Sequence, residues 1–275
     1  MMLRNYILFA LTICFINIGL VQAQNDSDSV ATSASEIKES IAALPLNEAE
    51  AAYINNNFAE SIQLYEAQVS EHRSINQESA QIYYNLGNAY FRDNQIAKAI
   101  VNYERALLLE PGDSDIRHNL RFAKTRIEDK IDSADNLFIN KWIRSIQNLY
   151  SGNTWAIIGI VLFILLIVAI GLYMISAQII LRKVSFYSGI VLLSLVIITN
   201  VFAFNQKTKI TNRSTAIIMS ASVSIYTSPD AHSQELFRLH EGAKVKIKRE
   251  EGRWIEIVIA NGSVGWLQKM YVETI

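Results

Sequence analysis

Hydrophobic and polar positions change rhythm several times along this chain. Residues 6–20 are almost wholly apolar and follow Arg4, a length that fits a signal-peptide core better than a full span. Val21 and Ala23 put small residues ahead of a cleavage point after Ala23, so residues 1–23 read as a signal peptide, with an uncleaved anchor as the other reading. Residues 24–40 are polar and rich in Ser and Ala, the pattern of a flexible leader. Residues 145–181 carry no charge around an apolar heart at 155–177, and residues 184–206 carry none around a heart at 186–204. Each heart exceeds the roughly 18 apolar residues that indicate a spanning helix. The pattern predicts transmembrane helices over 154–177 and 184–204 with a loop at 178–183. Residues 215–275 switch to strand alternation, clearest in Val245-Lys246-Ile247-Lys248 and in Trp254 to Ile259. Asn261-Gly262 predicts a two-residue hairpin turn.

Between leader and first span the chain repeats itself. Asn56-Asn57-Phe58-Ala59-Glu60-Ser61-Ile62 aligns with Asn94-Gln95-Ile96-Ala97-Lys98-Ala99-Ile100 after a shift of 38 residues, near the ~34 of a tetratricopeptide repeat. Tyr83, Leu86, Gly87 and Tyr90 fall on one helix; Ala99, Tyr103 and Ala106 fall on the next, and Pro111 ends it. Gly87 and Ala99 are small where the helices touch, and Tyr90 and Tyr103 fill the space beside them. Residues 41–133 therefore resemble a short tetratricopeptide array whose last helix, within 115–130, is a cap. The opposite stripe carries Tyr84, Asn88, Phe91 and Arg92, continued on the cap by His118, Phe122 and Arg126. In that family this stripe lines a concave groove for extended peptides: Asn88 would bind a peptide backbone, and Arg92 and Arg126 would pair a carboxylate. A solvated helix face is the bland alternative. Over 136–150, Phe138, Trp142, Ile146 and Leu149 share one face opposite Lys141, Arg144 and Asn148. This reads as an amphipathic helix in the membrane interface, or as one more packed helix of the array.

Composition narrows the function classes. Apolar residues make 51% and charged residues 19% of 275, against about 25% charged in an average soluble domain; the two spans absorb that excess. Net charge is −1, which argues against nucleic acid as a partner. The lone cysteine, Cys14, rules out an internal disulfide and a thiolate metal cluster. The four His (72, 118, 232, 240) stand at no metal-ligand spacing. There is no phosphate-binding glycine loop and no nucleophile context, so the chain reads as non-enzymatic, without metal or cofactor. With the amino end exported, both large domains face the extracytoplasmic side and Arg182 and Lys183 lie inside. Residues 24–153 hold 19 acids and 12 bases, a net of −7; residues 205–275 hold 7 acids and 10 bases, a net of +3. Opposite charge on one short hairpin predicts that the two domains approach each other or that each serves an outside partner; two independent domains whose charges serve solubility are the equal alternative.

The run from Ser222-Val223-Ser224-Ile225-Tyr226 through Gly252-Arg253-Trp254-Ile255 to Gly265-Trp266-Leu267 resembles a bacterial SH3-like domain over residues 215–275. The resemblance implies a small all-β barrel in which Tyr226, Trp254 and Trp266 are core and rim aromatics or the wall of a ligand groove, with cell-wall peptide as a candidate ligand. The expected architecture is thus multidomain: an all-α tetratricopeptide array, a two-helix transmembrane hairpin and a small SH3-like barrel. That order is similar to the BatE family of bacterial aerotolerance operons, most closely in Tyr83-Tyr84-Asn85-Leu86-Gly87-Asn88-Ala89-Tyr90 and Arg117-His118-Asn119-Leu120. The resemblance implies a cell-envelope scaffold in the bacterial inner membrane, in contact with lipid. Its implied partners are membrane Bat proteins with von Willebrand factor A domains and a MoxR-type ATPase.

Overall fold

The computed structural model describes residues 45–130 and 138–275. The signal peptide, the leader and Cys14 lie outside the described residues. Among the described residues five helices come first: α1 (Pro45–Ile54), α2 (Phe58–Ser74), α3 (Ala80–Arg92), α4 (Ile96–Leu109) and α5 (Ser114–Lys124). Local chemistry sets their ends. Ser79 Oγ accepts from the Ile82 amide at 3.4 Å to cap α3, and Asp113 caps α5 by accepting from the Asp115 and Ile116 amides at 2.8 and 3.0 Å. The three helix-to-helix turns before α4 each hold an asparagine in the left-handed region, Asn56 (φ 59°), Asn76 (φ 53°) and Asn94 (φ 61°), a conformation asparagine tolerates better than other side chains with a Cβ. Asn56 and Asn94 are the pair that the 38-residue shift aligns. A Cβ at Gly87 would stand 2.7 Å from the Tyr103 ring, so α3 and α4 meet at that glycine. Tyr65, Tyr83, Leu86, Tyr90, Ala99 and Ala106 are buried around the contact.

α6 (Phe138–Gln147) leads into two long apolar helices, α7 (Gly152–Ile175) and α8 (Ile179–Thr211). Both are long and apolar enough to cross a membrane, with mean hydropathy 3.1 and 2.1 in their most apolar windows. Most of their large side chains, Phe163, Ile157 and Phe204 among them, are exposed. The turn is shorter than the predicted loop. Ser176 donates its amide to the Leu172 carbonyl at 3.0 Å, the Gln178 amide donates to Ser176 Oγ at 3.1 Å, and α8 begins at once. Arg182 and Lys183 therefore stand on the first turns of α8. The helices meet closely at Gly159, where a Cβ would lie 3.2 Å from Thr199 Oγ1. Ser188, Ser194, Thr199 and Asn200 donate to carbonyls three or four residues back in α8, the usual satisfaction of such groups inside a helix.

The strands β1 (Thr215–Ile218), β2 (Ser222–Tyr226), β3 (Glu235–His240), β4 (Lys244–Glu251), β5 (Trp254–Val258), β6 (Val264–Gln268) and β7 (Val272–Thr274) form one antiparallel sheet in the order β3-β2-β6-β5-β4-β1-β7. The ladder ends at β3 and β7, so the expected barrel is not closed. Within the ladder β2 meets β6 through the single pair Tyr226 and Trp266. Ile218, Val223, Ile225, Leu239, Val245 and Ile257 share one core. The Asn261-Gly262 turn also differs from expectation. A two-residue type I′ turn needs positive φ at both central residues, and only Gly262 (φ 91°) has it. The Gly262 amide donates to the Ile259 carbonyl at 2.9 Å and the Ile259 amide to the Ser263 carbonyl at 3.0 Å, so the connection spans 259–263.

The sheet packs against the array. β1 packs against α4, and α8 touches α4 as well. Gly242 (φ 84°) sits so close that an added Cβ would meet Ile100 at 3.2 Å and collide with Ile127.

Candidate functional site

The face of α3 turned away from its core partners forms an open cleft of about 320 Å³ with α1, α4 and α5. Asn88, Phe91 and Arg92 line it from α3, and His118 and Phe122 from α5. Five of the seven groove candidates thus converge on one cleft. Tyr84 and Arg126 stand beside it: Tyr84 Oη accepts from Asn119 Nδ2 at 2.9 Å, and the Arg126 guanidinium lies over the Phe122 ring at 5.5 Å. Periodicity alone missed Tyr53, Tyr103 and Asn119, which also line the cleft. Tyr103 was legible only as a core residue, yet its hydroxyl reaches through the α3–α4 contact and donates to Asn88 Oδ1 at 2.7 Å. Asn119 Nδ2 donates to the same oxygen at 3.0 Å.

Two donors on one amide oxygen fix the Asn88 side chain and leave its Nδ2 for a ligand carbonyl. Burial pushes the Tyr103 phenol well up, so that donor is constant at any physiological pH. Phe91 and Phe122 pack at 5.5 Å between ring centres and make the apolar wall, and Phe122 remains half exposed. Arg92 lies over Phe58 at 4.8 Å and donates to Asn56 Oδ1 at 3.3 Å. This uses one edge of the guanidinium and aims the cation at the end of the cleft. The arrangement offers an amide clamp, an apolar wall and a cation, which are the contacts an extended peptide requires.

The sheet aromatics are arranged differently. Trp254 and Trp266 are only 7% and 6% exposed. Tyr226 packs edge-on to Trp254 at 5.8 Å, and the Arg249 guanidinium covers Trp266 at 5.0 Å while its Nε pairs with Glu256 at 3.3 Å. Alternation along β5 and β6 puts these rings on the face opposite the core, under a lid of charged side chains.

What the sequence singled out least is the seam between array and sheet. Glu104, on α4, is buried and held between Lys124 and Lys244, each at 2.7 Å. Burial alone would raise its carboxyl; the two ammonium groups outweigh it and hold the group below the usual carboxylate range. Arg105 pairs with Glu273 at 2.9 Å and donates to the Thr274 carbonyl at 2.7 Å. Arg213 reaches Glu78 at 2.5 Å. His240 accepts no such burial: its ring Nδ1 and its amide both meet Asp129, at 3.0 and 2.6 Å, and the Asp129 bond raises the imidazole above its ordinary value. Among the described residues no group of three or more His, Cys, Asp or Glu side chains gathers to hold a metal ion.

No curated protein matches this chain. Residues 80–113, spanning α3, α4 and the turn to α5, match the family Tetratricopeptide repeat. The repeat unit at the centre of the cleft is thus similar to a tetratricopeptide repeat.

Proposed function

We propose that this protein is a non-enzymatic scaffold, anchored by α7 and α8 in the bacterial inner membrane, whose array holds an extended segment of a partner protein on the extracytoplasmic side. The observation that carries the reading is the cleft: a fixed Asn88 amide, the Phe91–Phe122 wall and Arg92 converge on one face of a matched repeat. The anchor is supported by two adjacent helices most of whose large apolar side chains are left uncovered by the described residues. Direction comes from the signal-peptide pattern, which sets the array and the sheet on the exported side. The domain order resembles the BatE family, so the partners of choice are Bat-type membrane proteins with von Willebrand factor A domains, served by a MoxR-type ATPase, in an envelope stress complex. The sheet resembles an SH3-like domain, and its covered tryptophans favour a structural role over a cell-wall peptide site.

Crosslinking and mass spectrometry of the native membrane complex test the reading. Partner crosslinks should map to α3 and α5 and be lost in the double variant Arg92→Glu, Phe122→Ala, whose exposed positions leave the array folded. Crosslinks that persist unchanged in that variant sink the groove assignment.

A further inference from the structure

A second cavity, of about 510 Å³, opens where array, α6 and sheet come together. Lys124, Arg144, Lys244 and Lys246 line it, with Asp129 as the one acid. That acid is already held by His240, and Lys124 and Lys244 share Glu104. Arg144 and Lys246 have exposed side chains without an ion-pair partner among the described residues. Lys209, on the last turns of α8, lies close enough to feel both Arg144 and Lys244. Cations gathered this way repel one another and leave an unfilled positive field in a concave site. The walls also include Ile127, Val245, Val258 and Ile259, so the site joins positive charge to apolar surface.

Its position suggests the ligand. Arg144 stands on the last turn of α6, next to Trp142 and Leu149, which are 60% and 53% exposed. The Gln147 carbonyl that ends α6 accepts from Trp155 Nε1 at 2.9 Å and from Gln206 Nε2 at 3.0 Å. α6 is thereby clamped to the ends of both apolar helices, at the level where their uncharged stretches stop. Exposed Trp and Leu beside a basic cluster at that height match the chemistry of an anionic headgroup layer.

We propose that this cavity binds a phosphate anion, carried by a membrane phospholipid headgroup or free in solution, with Arg144 and Lys246 as its principal ligands and Lys209 and Lys244 adding field. The lipid form rests on the membrane reading above; the phosphate chemistry does not. The full chain, purified in neutral detergent, is incubated with phosphatidylglycerol or phosphatidylcholine, and retained lipid is counted by native mass spectrometry. The variants are Arg144→Gln with Lys246→Gln, and as a charge-matched control Arg121→Gln with Arg253→Gln. The wild type should retain phosphatidylglycerol over phosphatidylcholine, the cavity variant about fivefold less or lower still, and the control should equal the wild type. Stabilisation by excess inorganic phosphate, lost in the cavity variant and without any lipid preference, assigns the site to a free phosphate. Equal lipid retention and equal phosphate response in wild type and cavity variant overturn the proposal. Carbonate extraction of the same proteins reads membrane residence separately: a chain that carbonate releases, yet whose phosphate response depends on Arg144 and Lys246, refutes the anchor and keeps the site.

Discussion

Gly87 and Glu104 lie within a short stretch of chain and carry opposite lessons. Gly87 is small because the Tyr103 ring occupies the place of its side chain, and the repeat pattern announces that need. Gly87→Leu should cost about 1–3 kcal/mol by overpacking and lower the melting temperature of the purified chain; an unchanged melt would refute the contact. Glu104 reads in the sequence as one more acid on a solvated helix, because its two partners lie 20 and 140 residues away. Its burial is a property of the docked sheet, which no local pattern encodes. Glu104→Gln should cost about 2 kcal/mol, less than a fully buried pair because both lysines are more than a third exposed. Since the folded carboxyl is held below its ordinary 4.5, its contribution is complete above that pH and is lost as pH falls through the folded value. Acid melts of wild type and Glu104→Gln should therefore converge at low pH, and parallel curves would argue against the pairing.

At the scale of elements, helix ends were the most legible part and chain reversals the least. Tyr83-Leu86-Gly87-Tyr90 and Pro111 mark the matched repeat, and the Asn56–Asn94 alignment marks two identical left-handed turns. The Asp113 cap, two residues after Pro111, emerges only from the structure. Asp113→Ala leaves the Asp115 and Ile116 amides without their acceptor and should cost about 1 kcal/mol, read as a lower urea midpoint with unchanged slope. By contrast, Arg182 and Lys183 read as loop residues because charge interrupts an apolar run, although three residues suffice to turn α7 into α8. Asn261-Gly262 reads as a tight turn, but only Gly262 adopts positive φ. In the cleft, the stripe on α3 was visible by periodicity, whereas Tyr53 and Asn119 enter from neighbouring helices whose packing decides which residues meet.

For the whole molecule, the seam between array and sheet sets how it responds to solution conditions. The imidazole of His240 is raised above its ordinary 6.5 by the Asp129 bond, with Glu128 adding to it at 3.6 Å. A raised histidine stabilises docking fully below that ordinary value, and its contribution is lost as pH rises through the folded one. Hydrogen exchange at the Asp129–His240 seam should therefore quicken as pH climbs past neutrality, after correction for intrinsic rates, and His240→Gln should abolish that dependence. The opposite net charges of the two domains were readable in advance, but the particular pairs were not, because residue separations above one hundred carry no periodic signal.

The sharing of α4 between array and sheet also has a consequence in time. Glu104 is synthesised 140 residues before the Lys244 that covers it, and both long apolar helices are made in between. At about 5–20 residues per second, that delay is roughly 7–28 s. The repeat has formed long before, so through each round of synthesis Ile100 and a carboxylate paired on one side only, by Lys124, wait in water for a surface that does not yet exist. The nascent array must therefore hold its shape alone through that interval, and the sheet, arriving last, seals a flank already in place.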